Sequence, residues 1–232
     1  MYLLTETASP FALERWAAFF ANFGQFAKGF FYTLGISIGA LIVALLLGLI
    51  FGAMSSTHNK VLRGISRVYV EIFQNTPLLV QFVVVFYGIS ILTDGHVMIP
   101  ISLTAILCVG VYTGAYISEI IRTGIEAVPK GQTEAALSQG FTYADTMRII
   151  ILPQAVRTIL PPLTNQVVNL IKNTSTVAII SGEDIMFTAK AWAYDTTNYV
   201  PAFAGAAFLY FIMCFPLATW ARRKEEENKK AY

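Results

Sequence analysis

Apolar residues along this chain run in long stretches, broken by short polar clusters. The first stretch, Gly29 to Met54, contains no charged residue. A second, Val68 to Leu92, has Glu71, Asn75 and Pro77 near its start, and a third, Ile99 to Ile120, ends at Glu119 and Arg122. Between Arg157 and Glu183 the only charge is Lys172, and Pro161–Pro162 mark the start of a fourth stretch. A fifth covers residues 200–221, with Pro201 placed to open a helix. Each has the roughly 20 mostly apolar residues that cross a bilayer as a helix. Upstream, residues 11–25 set Phe11, Leu13, Trp16, Phe19, Phe20 and Phe23 among polar positions, which predicts a short amphipathic helix at the membrane interface or packed on the bundle. Gly35/Gly39, Gly48/Gly52 and Gly110/Gly114 are small-residue pairs four apart, which predicts close helix packing in lipid.

Composition agrees with a membrane protein. The chain has 232 residues, is 56% hydrophobic and only 13% charged, against about 25% charged in soluble domains. Five spans put the termini on opposite sides. Twelve basic residues then fall on the C-terminal side, against Arg15, Lys28, Lys172 and Lys190 on the other. Basic residues favour cytoplasmic loops, so the N-terminus is expected outside and the C-terminus, with the solvated tail 222–232, inside. The first residues lack the basic start of a cleavable signal. Cys108 and Cys214 lie in apolar runs and read as buried thiols, and no basic stripe suggests nucleic acid. His58 and His96 stand apart from other ligands, so no metal site is expected. On the outer side, Ser181 lies three residues before Asp184, the spacing of a capping box. The run that follows, residues 185–194, reads as a surface helix forming an outer lid or ledge.

One polar segment breaks the pattern on the cytoplasmic side, EAALSQGFTYADTMRIIILP, Glu134 to Pro153. Its grammar is helix, stop, helix. Thr133 is the expected cap of the first helix, and Gly140 fits the left-handed residue that ends it. Thr142 followed by Asp145 starts a second helix. Met147, Ile150 and Ile151 give that helix an apolar side, and Pro153 bends or ends it. A water-exposed hairpin with an apolar side calls for a partner.

The fixed positions Glu134-Ala135-Ala136, Gly140, Ile150 and Leu152-Pro153 resemble the EAA loop of bacterial ABC-importer permeases. The stretches GFFYTLGIS (29–37), VEIFQNTPLLVQ (70–81), YISEIIRTGIEAVPKGQTEAALSQG (116–140) and NQVVNLIKNTS (165–175) are similar to the polar-amino-acid branch, the histidine, glutamine and glutamate type. The resemblance covers nearly the whole chain, with Gln74-Asn75 standing where many relatives have Arg-Gly. It implies an all-α integral membrane protein with the type I importer fold: five core transmembrane helices plus a short N-terminal amphipathic helix. The chain would be a single permease domain, with segment 122–156 as the cytoplasmic coupling loop. It also implies partners: a separate ATPase that binds ATP and Mg, a second permease subunit of the same or a sister kind, and an extracytoplasmic binding protein. No Gly-x-x-x-x-Gly-Lys-Ser/Thr phosphate loop occurs in the sequence, so ATP hydrolysis is not expected in this chain.

Asn165, Asn169 and Lys172 are spaced by four and three and share one helix face, with Gln166 beside them. Lys172 lies ~22 Å along a helix from Arg157, past the midplane. Two readings stay open: a polar wall of the substrate path, or hydrogen bonding between subunits or at a helix cap near Asn173–Ser175. No midplane carboxylate awaits a cationic side chain, so glutamine, glutamate or aspartate is expected over arginine, lysine or histidine. The alternative is an ion-coupled secondary carrier. That mechanism wants free carboxylates near midplane and often an inverted repeat. Glu71 and Glu119 instead lie near span ends, within pairing distance of Arg67 and Arg122.

Overall fold

The computed structural model describes Ser9 and residues 11–230. The expectations for the first residues, for the last two of the tail and for the missing signal fall partly outside them. The described chain is helical throughout: α1 (Leu13–Ala21), α2 (Phe23–Ser55), α3 (Lys60–Gln74), α4 (Leu78–Leu92), α5 (Ile101–Glu126), α6 (Lys130–Ser138), α7 (Leu152–Asn173), α8 (Ile185–Thr196) and α9 (Tyr199–Lys230). A π-helical segment, Thr146–Ile151, leads into α7, and a 3-10 segment, Thr174–Ile180, follows it.

Helices α2, α5 and α9 are each long and apolar enough to cross a membrane. The second expected span is not one helix. Asn75–Pro77 break it, and α3 stands at 97° to α4. Pro77 cannot donate to the carbonyl one turn back, so the chain turns there and Leu78 starts again. The fourth span also differs. Pro161 and Pro162 lie inside α7 and do not begin it. Helix α7 falls short of a span by apolarity because one face carries Asn165, Asn169 and Lys172.

Helix α2 packs along α5, and three of its glycines make the approach possible. A Cβ at Gly48 would meet Ile117 at 2.4 Å. Gly39 and Gly52 face Ile106 and Ile121 in the same way, whereas Gly35 faces open space, so that expected pair contributes through one member. Helix α3 is tied to this pair by side chains: the Tyr69 hydroxyl donates to the Val111 carbonyl at 2.7 Å and the Ser66 hydroxyl to that of Phe51 at 2.7 Å. One core runs through α2, α4, α5 and α7, around Phe82, Val109, Ile117 and Leu170.

A second core lies at the other end, around Phe19, Phe26, Ile185, Trp192 and Leu209. The 11–25 stretch accordingly divides. Phe19 of α1 is buried against Phe26 and Trp192, with ring centroids 4.8 and 5.9 Å away. Leu13 is 86% exposed, so α1 both packs on the bundle and offers an apolar side outward. The Arg15 guanidinium donates to the Thr197 carbonyl at 3.0 Å and ties α1 to the far end of α8.

The outer segment departs most from expectation. Ser181 takes a left-handed conformation, φ 62°, and closes the C-terminal end of the 3-10 segment, so it is no part of the α8 cap. Asp184 is itself the N-cap of α8, accepting from the Phe187 amide at 2.8 Å. Helix α8 is no surface ledge: Ile185, Ala189, Trp192 and Ala193 are buried.

Candidate functional site

The hairpin forms by local rules. Helix α6 starts after Pro129, three residues before the expected cap, so Thr133 lies inside the first helix. At its end the Gly140 amide donates to the Leu137 carbonyl at 3.0 Å, and that of Phe141 to the Ala136 carbonyl at 3.1 Å. These two bonds are a Schellman closure, which requires a left-handed residue. Gly140 supplies it, at φ +87°. Space is no constraint, since a Cβ there would meet nothing within 4 Å. The backbone angle alone therefore selects glycine. Thr142 then caps the next turn, its hydroxyl accepting from the Asp145 amide at 3.2 Å and donating to the Asp145 carboxylate at 2.6 Å.

Helix α6 packs on the π-helical segment, burying Ala136, Thr146 and Ile151. The small side chain of Ala136 suits that contact. Glu134, Ala135, Gly140 and Pro153 are exposed and Ile150 is half-buried. Leu137, Phe141, Tyr143, Ile149 and Leu152 are also exposed, giving the hairpin an uncovered apolar surface. Pro153 does not end the helical run. A proline ring clashes with the carbonyl four residues earlier, here Ile149. The wider π turn lies over that carbonyl, and the helix passes through.

This continuity joins the two candidate regions. The backbone stays right-handed helical at every junction: Asp145 φ −67°, Ile151 φ −79° and Asn173 φ −66°. A single helical run therefore leads from Tyr143 through the polar face of α7. The distance from Asp145 to Asn169 is roughly 35 Å. Asn165, Asn169 and Lys172 are exposed and Gln166 is half-buried. Among the described residues, none of these four side chains makes a hydrogen bond or ion pair within the chain. Thr174 and Ser175 bond back to the Ile171 and Lys172 carbonyls and leave the four side chains alone. The local-cap reading thus loses its partners. An unpaired polar face on a membrane helix needs water, ligand or a second subunit.

The carboxylates of an ion-coupled carrier are engaged elsewhere. Glu119 pairs with Arg122, which also holds Glu126, and Glu71 lies 3.7 Å from Arg67.

One residue that sequence reasoning assigned only a spacing role matters more. The Asp184 side chain is wholly buried and receives the Tyr210 hydroxyl from α9 at 3.0 Å. Beside it the Ile185 amide donates to Thr33 of α2 at 3.1 Å. Burial pushes the Asp184 carboxyl up to about 6, against the opposing pull of the bonds from Phe187 and Tyr210. Its only sequence signal is a charge opening a mostly apolar stretch.

Comparison with known proteins follows the same outline. Residues 44–225 match the family described as binding-protein-dependent transport system inner membrane component. The chain is 37% identical over 216 residues to the probable glutamine ABC transporter permease protein GlnM of Bacillus subtilis (strain 168), covering 92% of this chain and 97% of that one. It is 33% identical over 208 residues to the glutamate/aspartate import permease protein GltJ of Escherichia coli (strain K12), covering 82% and 85%. Its fold is similar to a crystal structure of an amino acid ABC transporter with histidines, at TM-score 0.84 and 30% identity, covering 91% of this chain and 98% of that one.

Proposed function

The chain belongs to the binding-protein-dependent transport system inner membrane components, and from that premise we propose that it is the permease subunit of an ATP-driven importer of a polar amino acid. The observation that carries the reading is the Glu134–Pro153 hairpin, closed at Gly140, with an uncovered apolar surface and a direct helical connection to the face of Asn165, Asn169 and Lys172.

In this reading Glu134, Ala135, Ala136, Gly140, Ile150, Leu152 and Pro153 build the element that docks on a separate ATPase. That partner binds ATP and Mg, and its closure moves the hairpin. Force passes along the 143–173 run into the bundle. A second permease, identical or a sister, faces the α7 polar surface, so that Asn165, Gln166, Asn169 and Lys172 line the path between the two. An extracytoplasmic binding protein delivers the substrate. The basic-residue distribution supports an outer N-terminus and a cytoplasmic C-terminus. Glutamine, glutamate or aspartate is the inferred cargo, because two relatives are named for these and Lys172 offers a cation to an acidic or amide side chain.

The test is reconstitution of the chain with its ATPase and binding protein in vesicles. Uptake is expected only with ATP, and competition should rank glutamine, glutamate and aspartate above arginine, lysine and histidine. Uptake by this chain alone on an ion gradient would overturn the proposal.

A further inference from the structure

A cavity of about 1050 Å³ opens between the loop after α2, the polar side of α3 and the end of α5 that leads into the hairpin. Its basic residues are Lys60, Arg63, Arg67, Arg122 and Lys130. The three carboxylates on its wall are already engaged: Arg67 holds Glu71, and Arg122 holds Glu119 and Glu126. Among the described residues Lys60, Arg63 and Lys130 have no carboxylate partner. Ser118 lines the same cavity, is 1% exposed, and its buried hydroxyl has no hydrogen-bond partner. A net positive cavity with an unanswered hydroxyl and unpaired cations suits a ligand rich in acceptor oxygens.

Helix α3 restricts which ligand. It turns 97° away from α4 at Asn75–Pro77, so the two do not form one straight span and α3 presents a side of its own. Val61, Ile65, Val68 and Ile72 are all at least half exposed, and their spacing of four, three and four puts them on one side. Lys60, Arg63 and Arg67 follow a spacing of three and four on another side. An apolar stripe beside a basic one is the layout of an interfacial helix. Basic pockets of this kind bind anionic lipid head groups.

We propose that this cavity binds an anionic phospholipid, with the phosphate among Lys60, Arg63 and the Ser118 hydroxyl and the acyl chains beside Val61, Ile65 and Val68. The site rests on the membrane reading of the chain and is independent of what docks on the hairpin. A free phosphate would satisfy the cations but leave the α3 stripe without a role. An acidic protein segment would do the same.

The test uses the full-length chain purified in neutral detergent and titrated with phosphatidylglycerol, phosphatidylcholine or inorganic phosphate. Bound lipid is counted by native mass spectrometry and stability is read from the melting temperature. Phosphatidylglycerol is expected to bind and raise the melting temperature, while the other two leave it unchanged. At about fivefold per basic residue, Lys60→Gln/Arg63→Gln should weaken phosphatidylglycerol binding about 25-fold, with an unaltered melting temperature in lipid-free detergent. Lys60→Arg/Arg63→Lys, which keeps both charges, should bind as the parent does. Val61→Ser/Ile65→Ser should also weaken the lipid while sparing the cations. An equal response to phosphatidylcholine, a matching shift from inorganic phosphate, or undiminished binding by the Lys60→Gln/Arg63→Gln variant would each overturn the proposal.

Discussion

The hairpin at one end of the molecule and the outer segment around α8 at the other are both short helical insertions between spans, yet they are held differently. Nearly every bond that shapes the hairpin joins residues within five positions of each other: Phe141 to Ala136, Gly140 to Leu137, Asp145 to Thr142. The outer segment is fixed by partners far along the chain. Ile185 reaches Thr33, Asp184 reaches Tyr210, and Arg15 reaches Thr197. The hairpin also leaves apolar side chains uncovered, whereas α8 buries Ile185, Ala189, Trp192 and Ala193 in the bundle. One region is a self-contained shape offered outward. The other is a plug whose shape depends on the bundle.

The largest effect that could break this contrast is at Asp184. Asp184→Ala removes the α8 cap and one of the partners of the half-buried Tyr210 hydroxyl, and the two losses together should cost about 2 kcal/mol. Thermal unfolding in detergent checks this, and a loss below the cost of an exposed cap would mean that α8 is not anchored through Asp184. The same carboxyl provides the next test. Its folded value, about 6, lies above its ordinary 3.8, so the folded state binds the proton more tightly. Stability should therefore rise as pH falls from 6 toward 4, with the burial cost fully present above about 6. The difference between the parent and Asp184→Asn isolates that slope, and identical pH profiles would refute it.

At the hairpin the expected damage is to coupling more than to stability. Gly140→Val forces a β-branched residue to φ +87° and should cost about 1–2 kcal/mol, confined to the hairpin. The protein should still reach the membrane, while ATP hydrolysis proceeds without uptake. Gly140→Asn should be milder, because asparagine tolerates the left-handed region. A valine variant with normal uptake would remove the hairpin's special standing. The smallest effect belongs to Thr142→Ala, about 1 kcal/mol or less for an exposed cap, seen as faster amide exchange over residues 143–146 and little change in melting temperature.

The same contrast explains what was legible in the sequence. Gly140 and Thr142 act on neighbours, so turn grammar identified both. The long charge-free stretches gave α2, α5 and α9 for the same reason. Thr133 misled because the chain already enters the helix at Lys130, after Pro129, with no side-chain cap at all. Pro153 and Pro161–Pro162 misled more deeply. A proline's local preference is to stop a helix, but Pro153 falls in the first turn of α7 beside a π turn, and Pro161–Pro162 lie within α7 without ending it. Asp184 was read by its spacing to Ser181, while its carboxylate caps α8 at Phe187 and takes the Tyr210 hydroxyl from α9. The polar face of α7 was visible as a spacing of four and three. That its side chains stay unpaired could be learned only from the fold.

The two proline sites in the 143–173 run give that run a mechanical character. Pro153 follows a π turn, and Pro161–Pro162 leave the carbonyls of Arg157 and Thr158 without their usual helical donors. Bending stiffness is lowest where the hydrogen-bond ladder is broken. The run is therefore a jointed strut, not a uniform beam: it carries a push along its length but yields to sideways load at two places. Small rocking of the hairpin in water would be absorbed at the first joint, and only displacement along the axis would arrive at Asn169 and Lys172.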